Sequence, residues 1–172
     1  MRPGRGKSTI ACALARQRGL VIIDHDVVKN AQLSAGLPFA QAGKLSYAVL
    51  LALAEDLLGQ GHQVVIDSPC FYDGLLEGGQ AVAARAGAAY RYIECVTDDL
   101  DLLDQRLRSR PRLLSQVAGV YEESRDGSGR PGADVFRDWI DNMKRPTTGW
   151  LRIDTTRPFA ECVEAALVFL DG

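Results

Sequence analysis

Four short apolar runs punctuate the chain. They are Leu20-Val21-Ile22-Ile23 before Asp24-His25-Asp26, Val64-Val65-Ile66 before Asp67, Tyr90 to Val96, and Trp150-Leu151-Arg152-Ile153-Asp154. Runs this short, rich in branched and aromatic residues, predict strands; the first two read as fully buried and the third as partly alternating. The segments between them are longer. Gly6 to about Arg18 carries Ile10, Leu14 and several alanines with no breaker before Gly19, which predicts a helix opening inside a glycine-rich loop. Leu45 to Leu58, bounded by Gly43 and Gly59-Gln60-Gly61, predicts a helix buried on most sides. A helix from about Gly79 to Ala86 stops at Gly87, and Thr97 caps another with Leu100, Leu103 and Leu107 inward. Asp134 caps a helix with Phe136, Trp139, Ile140 and Met143 on one face, and Pro158 opens a closing helix to Leu170. The polar stretch from Gly119 to Ala133 predicts a mobile loop.

Strands alternating with helices, each strand a nearly unbroken apolar run, predict an α/β fold: a mostly parallel sheet covered by helices on both faces. Ligands bind such sheets at the carboxyl ends of the strands. The loops after Ile23, Ile66, Val96 and Ile153 therefore share the functional edge with the glycine-rich loop.

Composition narrows the classes. A chain of 172 residues with 47% hydrophobic content can bury the core of one domain, and it has no internal repeats. The formal charge of -2 makes nucleic acid an unlikely partner. Cys12, Cys70, Cys95 and Cys162 stand far apart without paired spacing and read as reduced, structural residues. No apolar run approaches the roughly 18 residues of a membrane span, and no signal-peptide shape is present, so a cytoplasmic protein without a membrane partner is expected.

The chemistry concentrates at the start. In Pro3-Gly4-Arg5-Gly6-Lys7-Ser8-Thr9, the residues Gly6-Lys7-Ser8 fill the last three places of a P-loop, whose first glycine would fall on Met1. Backbone N–H groups and the following helix would cradle phosphates, Lys7 would reach the outer ones, and the Ser8 hydroxyl would ligate magnesium. Asp67 resembles a Walker B carboxylate opposite Ser8, with a turn cap before Ser68-Pro69 as the alternative. Asp24 and Asp26 stand where an acceptor hydroxyl would meet the transferring phosphoryl group; Asp26 is the preferred base and Asp24 its support, against a solvated acidic turn. Arg106 and Arg110, spaced by four and joined by Arg112, are candidates for a lid closing over the triphosphate; the alternative is a solvated face pairing with Asp101 and Asp104. Thr155-Thr156-Arg157-Pro158 either lines the nucleobase, with Thr156 the candidate contact, or forms a capped turn.

Together these motifs resemble the small P-loop kinases, most closely the group of gluconate kinase, chloramphenicol phosphotransferase, the zeta-toxin kinases and the kinase domain of polynucleotide kinase. The resemblance spans nearly the whole chain. It implies a three-layer fold around a five-stranded parallel sheet in order 2-3-1-4-5, ATP as donor, Mg2+, and a mobile lid at about residues 106–134 of a single domain. It also implies an acceptor pocket near Asp26, lined by residues 29–44 and 70–78, with Phe39, Phe71 and Tyr72 available to pack on a ring. Two departures stand out. The family's first strand precedes the P-loop, and the absence of that strand before Met1 leads to the expectation that strand 1 is truncated here and that Met1 is internal to a longer reading frame. Lys29 also stands where many relatives carry arginine. The expected activity is ATP-dependent phosphorylation of a hydroxyl on a small molecule; the rivals are a regulatory ATPase or switch without an acceptor, and a truncated inactive P-loop protein.

Overall fold

Parallel pairing organises the strands of the computed structural model, which describes residues 6–111, 113–122 and 131–172. Strand β1 (Val21–Asp24) pairs with β2 (Val64–Asp67) in a register that sets Ile23 beside Ile66 and Asp24 beside Asp67. Strand β3 (Tyr92–Val96) pairs with β4 (Trp150–Asp154), setting Cys95 beside Ile153. Where one five-stranded sheet was expected, the strands thus form two separate two-stranded parallel sheets, and no strand joins them among the described residues.

Helix α1 (Lys7–Arg18) spans both sheets. Ile10 and Leu14 pack with Cys95 of β3, Ile153 of β4, and Cys162 and Ala166 of α7 (Phe159–Asp171), while α1 also lies against β1 and β2. It ends at Gly19, whose φ of 69° lets its N–H close on the Ala15 carbonyl. Around the other sheet, Ile23 packs with Leu50 and Ala54 of α3 (Phe39–Gly59) and Val82 of α4 (Asp73–Arg85). Leu50 is fully buried, and its truncation to alanine would cost about 2–5 kcal/mol. A third cluster joins Leu103 and Leu107 of α5 (Leu100–Arg108), Val120, and Phe136 of α6 (Gly132–Asp141). No helix among the described residues is long and apolar enough to cross a membrane.

Several elements depart from the sequence expectation. The corner after β1 is the start of a helix, α2 (His25–Ser34), because the Asp24 side chain accepts from the N–H groups of Asp26 at 2.8 Å and Val27 at 3.3 Å and so caps it. Helix α4 begins at Asp73, six residues before the expected Gly79. Two of its glycines serve contact rather than turning: a Cβ on Gly78 would lie 2.6 Å from Leu51 Cδ1 of α3, and one on Gly79 3.1 Å from the Tyr90 ring. Thr97 does not cap α5; Asp99 does, accepting from Leu102 N–H at 2.9 Å, while Thr97 is buried at the end of β3. Helix α6 starts at Gly132 after Pro131, so Asp134 sits in its first turn instead of capping it. Helix α3 is longer than expected and is not buried on most sides, since Leu45, Val49 and Leu53 are exposed. Of the stretch from Gly119 to Ala133, residues 123–130 lie outside the described residues.

Candidate active site

The residue before α1 is Gly6, at φ 83°, a left-handed backbone that a β-carbon disfavours. Among the described residues no side chain caps α1 at Gly6, and the positive end of the helix favours an anion. Thr155, just past β4, backs this glycine: a Cβ on Gly6 would lie 2.8 Å from Thr155 Cγ2. The Thr155 hydroxyl is 2.7 Å from that of Thr97 and 2.9 Å from the Val96 carbonyl. Arg106 then locks the pair. Its Nη1 donates to the Thr97 and Thr155 hydroxyls at 3.3 and 3.2 Å, and its Nη2 donates to the Thr155 carbonyl at 3.0 Å.

Across from the loop, the register of β1 and β2 places Asp24 beside Asp67, and Asp26 follows in the first turn of α2. Burial pushes the Asp24 carboxyl up, and the nearby charges of Asp67 and Asp26 push it further against its two backbone hydrogen bonds. Asp26 behaves oppositely. Burial alone would raise it, but contacts from His25 and Gln116 and the charge of Lys7 outweigh that and hold its carboxyl at about 2. Gln116 Nε2 donates to Asp26 Oδ2 at 2.6 Å, and the Ser115 hydroxyl donates to the Asp26 carbonyl at 3.2 Å. His25 Nδ1 stands 3.8 Å from Asp26 Oδ1, an ion-pair distance too long for a hydrogen bond. The imidazole is buried and stacks on Tyr47 at 4.7 Å between centroids.

The lid candidates separate. Helix α5 ends at Arg108, because Pro111 disfavours a helical conformation for Arg110, so Arg106 and Arg110 do not share one helical face. Arg106 lies on the Thr97–Thr155 pair, Arg110 Nη2 donates to the Val117 carbonyl at 3.4 Å, and Arg108 pairs with Asp104 at 2.6 Å. The segment after α5 folds back on α2: beside the Ser115 and Gln116 contacts, Leu114 N–H donates to Asn30 Oδ1 at 2.9 Å. Thr156 is exposed, and its N–H and hydroxyl both donate to Asp154 Oδ1 at 2.9 Å. Of the ring candidates, Phe39 lies under Lys29 Nζ at 3.6 Å, Tyr72 is exposed with its edge on Tyr47, and Phe71 packs on Trp139. Burial lowers the Lys29 ammonium, partly offset by Asp26. Pro3, Gly4, Arg5 and Arg112 lie outside the described residues.

Sequence reading missed Ser115, Gln116 and Tyr47, and within the candidate segment it preferred Thr156 to Thr155. Thr155 and Thr156 are chemically identical neighbours, and Gln116 meets Asp26 across 90 residues without a periodic signal.

The family model described as AAA domain, AAA_33, matches residues 2–119, more than half of the chain. The chain belongs to this family. Its fold is that of small P-loop kinases. It is similar to a sugar kinase from Janibacter sp. HTCC2649 at a TM-score of 0.66 and 15% identity, covering 98% of this chain and 89% of that one. It is similar to the APS kinase of Mycobacterium tuberculosis in complex with AMPPNP and APS at a TM-score of 0.66 and 21% identity, covering 99% and 93%. A gluconokinase from Sinorhizobium meliloti 1021 matches at 0.59 and 20%, covering 98% and 86%. No curated protein matches the sequence.

Proposed function

We propose that the protein transfers the terminal phosphoryl group of ATP to a hydroxyl of a small molecule, with Asp26 receiving that hydroxyl. The observation that carries this reading is Asp26 itself: a half-buried carboxylate in the first turn of α2, held ionised by His25, by Gln116 and by the charge of Lys7 at the start of α1. The anion site would take the phosphates of the nucleotide, with Lys7 on the outer ones.

In the transfer, the acceptor oxygen forms a bond to the terminal phosphorus while the bond from phosphorus to the bridging oxygen breaks, releasing ADP. The hydroxyl proton passes to Asp26 and then to water. A carboxylate held at about 2 is a weak base. That suits a loose transition state, in which the proton leaves late and the main demand on Asp26 is to orient the oxygen. Arg106, donating to Thr97 and Thr155, holds the threonine that backs Gly6, and Arg110 is the arginine we assign to the lid; Thr156 stays the candidate at the nucleobase.

The residues present fit a magnesium ion. Asp24 and Asp67 repel each other at adjacent strand ends, and a cation there would relieve that strain. Ser8 and Asp67 would hold it, few protein ligands being usual for this ion, and among the described residues no cluster of three or more acidic, histidine or cysteine groups forms a cage of its own. When bound, Mg2+ neutralises charge on the phosphate oxygens.

The test is transfer by the full chain with ATP, Mg2+ and a panel of hydroxylated metabolites, read as phosphorylated product. Lys7→Ala should abolish product. ATP hydrolysis without any product across the panel, unchanged by Asp26→Asn, would favour a nucleotide switch instead.

A further inference from the structure

His25 opens α2 and is only 5% exposed, yet neither Nδ1 nor Nε2 has a hydrogen-bond partner among the described residues. Buried side-chain nitrogens are nearly always paired, so an imidazole with both nitrogens open calls for a partner in another state of the protein. Its plane is fixed by the stack on Tyr47 of α3, 4.7 Å between centroids and 26° between planes, and Tyr47 in turn meets Tyr72 edge-on at 5.3 Å. The ring edge that carries Nδ1 faces Asp26 Oδ1 at 3.8 Å.

The two oxygens of Asp26 are unequally held. Oδ2 accepts the 2.6 Å bond from Gln116, whereas at Oδ1 the Ser115 hydroxyl stands at 3.4 Å. A carboxylate pinned at one oxygen can still swing about that bond, and a second donor at the other oxygen would fix its plane. An approach of about 1 Å takes the imidazole from 3.8 Å into the range of an N–H···O bond. We propose that His25 is a positioning residue for Asp26: in the state that transfers, its Nδ1–H donates to Asp26 Oδ1 and turns the carboxylate plane towards the acceptor hydroxyl. This role presupposes the reading of Asp26 as the group that receives the hydroxyl. A neutral imidazole carries one hydrogen, which the role puts on Nδ1, and a carboxylate oxygen accepts more than one bond, so Oδ1 keeps room for the acceptor. Both ring nitrogens are shielded, so His25 acts through Asp26 and does not touch the acceptor.

Steady-state transfer by single and double variants tests this, with ATP, Mg2+ and whichever hydroxylated metabolite the wild-type chain phosphorylates. His25→Phe keeps a ring on Tyr47 and removes both nitrogens; it should lower kcat about 10–100-fold and leave the KM values for ATP and metabolite within about twofold. His25→Asn, whose amide nitrogen takes the place of Nδ1, should recover most of that loss, and His25→Gln, whose amide takes the place of Nε2, should not. In an Asp26→Asn chain, His25→Phe should slow transfer no further. A His25→Phe chain that turns over at the wild-type rate while Asp26→Asn is slow overturns the role of His25 alone, as does a further loss of about tenfold on top of Asp26→Asn. An Asp26→Asn chain with the wild-type rate removes the reading of Asp26 and this inference with it.

A spectrum tests the pairing without turnover. The chain has two histidines, His25 and His62. In His62→Gln protein with AMPPNP and Mg2+ bound, long-range 1H–15N correlation should place the imidazole hydrogen on Nδ1, and Asp26→Asn should displace that signal. A hydrogen on Nε2 overturns the pairing, whether or not any metabolite is phosphorylated.

Discussion

Thr155 stands so close to Gly6 that a β-carbon on the glycine would come within 2.8 Å of the threonine methyl. The glycine that precedes α1 is therefore backed by the end of β4, and Arg106 fixes that support through both threonine hydroxyls. Gly6→Ala meets two penalties, the left-handed φ at about 1–2 kcal/mol and the contact with Thr155. The expected outcome is a lower melting temperature and at least tenfold weaker ATP binding by calorimetry. Thr155→Ser, which keeps the hydroxyl and removes the methyl, should recover part of the melting temperature in the Gly6→Ala background.

Gln116 donates to Asp26 at 2.6 Å from a segment 90 residues away. Gln116→Leu should leave ATP affinity within about threefold and reduce transfer about tenfold or more, the range in which a misplaced catalytic group acts. Losing a hydrogen bond to the ionised form raises the Asp26 carboxyl from about 2, so the acid limb of the pH–rate profile should move to higher pH.

Asp24 caps α2 while sharing its corner with Asp67 and Asp26. Asn keeps the capping oxygen and removes the charge. Because the folded carboxyl sits above its unfolded value of about 3.9, its contribution to stability is present below that pH and is lost as pH rises through the raised folded value. Asp24→Asn should therefore melt higher than wild type at pH 7.5 without magnesium, and the difference should shrink toward pH 4. Equal melting temperatures at pH 7.5 would show that the carboxylates do not repel.

Glu94 is buried in β3 and is bound at both oxygens by Arg145, at 2.7 and 2.8 Å. Arg145→Met leaves that carboxylate unpaired. Urea unfolding should show a loss of about 2–4 kcal/mol, below the ~3–5 of a fully buried pair because the arginine is partly exposed, and Glu94→Gln in the same chain should recover part of it.

The strands were legible because a parallel strand leaves a short unbroken apolar run: Val64-Val65-Ile66 ending at Asp67 is found as β2, although these three residues are partly and not fully buried as expected. Helix α1 was legible for a similar reason, with Gly6 and Gly19 marking both ends. Helix α2 was not, since Asp24 is equally suited to cap a helix or to end a strand in a turn, and only the fold shows it doing both. The start of α4 was hidden by its glycines, of which Gly78 serves close packing against Leu51 and Gly79 against Tyr90. Arg106 and Arg110 looked equivalent by spacing, but the helix stops between them and sends one to the threonines and the other to the Val117 carbonyl. The open side of α3 was hidden in a uniformly apolar segment, where periodicity cannot tell which side the sheet covers.

Asp26→Asn, assayed for ATP binding and for phosphorylated product on the same preparation, tests the assignment of function most directly. The expected result is ATP affinity within about threefold of wild type and transfer reduced about 100-fold or more. Product formed by Asp26→Asn at the wild-type rate would contradict the role of this carboxylate in receiving the acceptor.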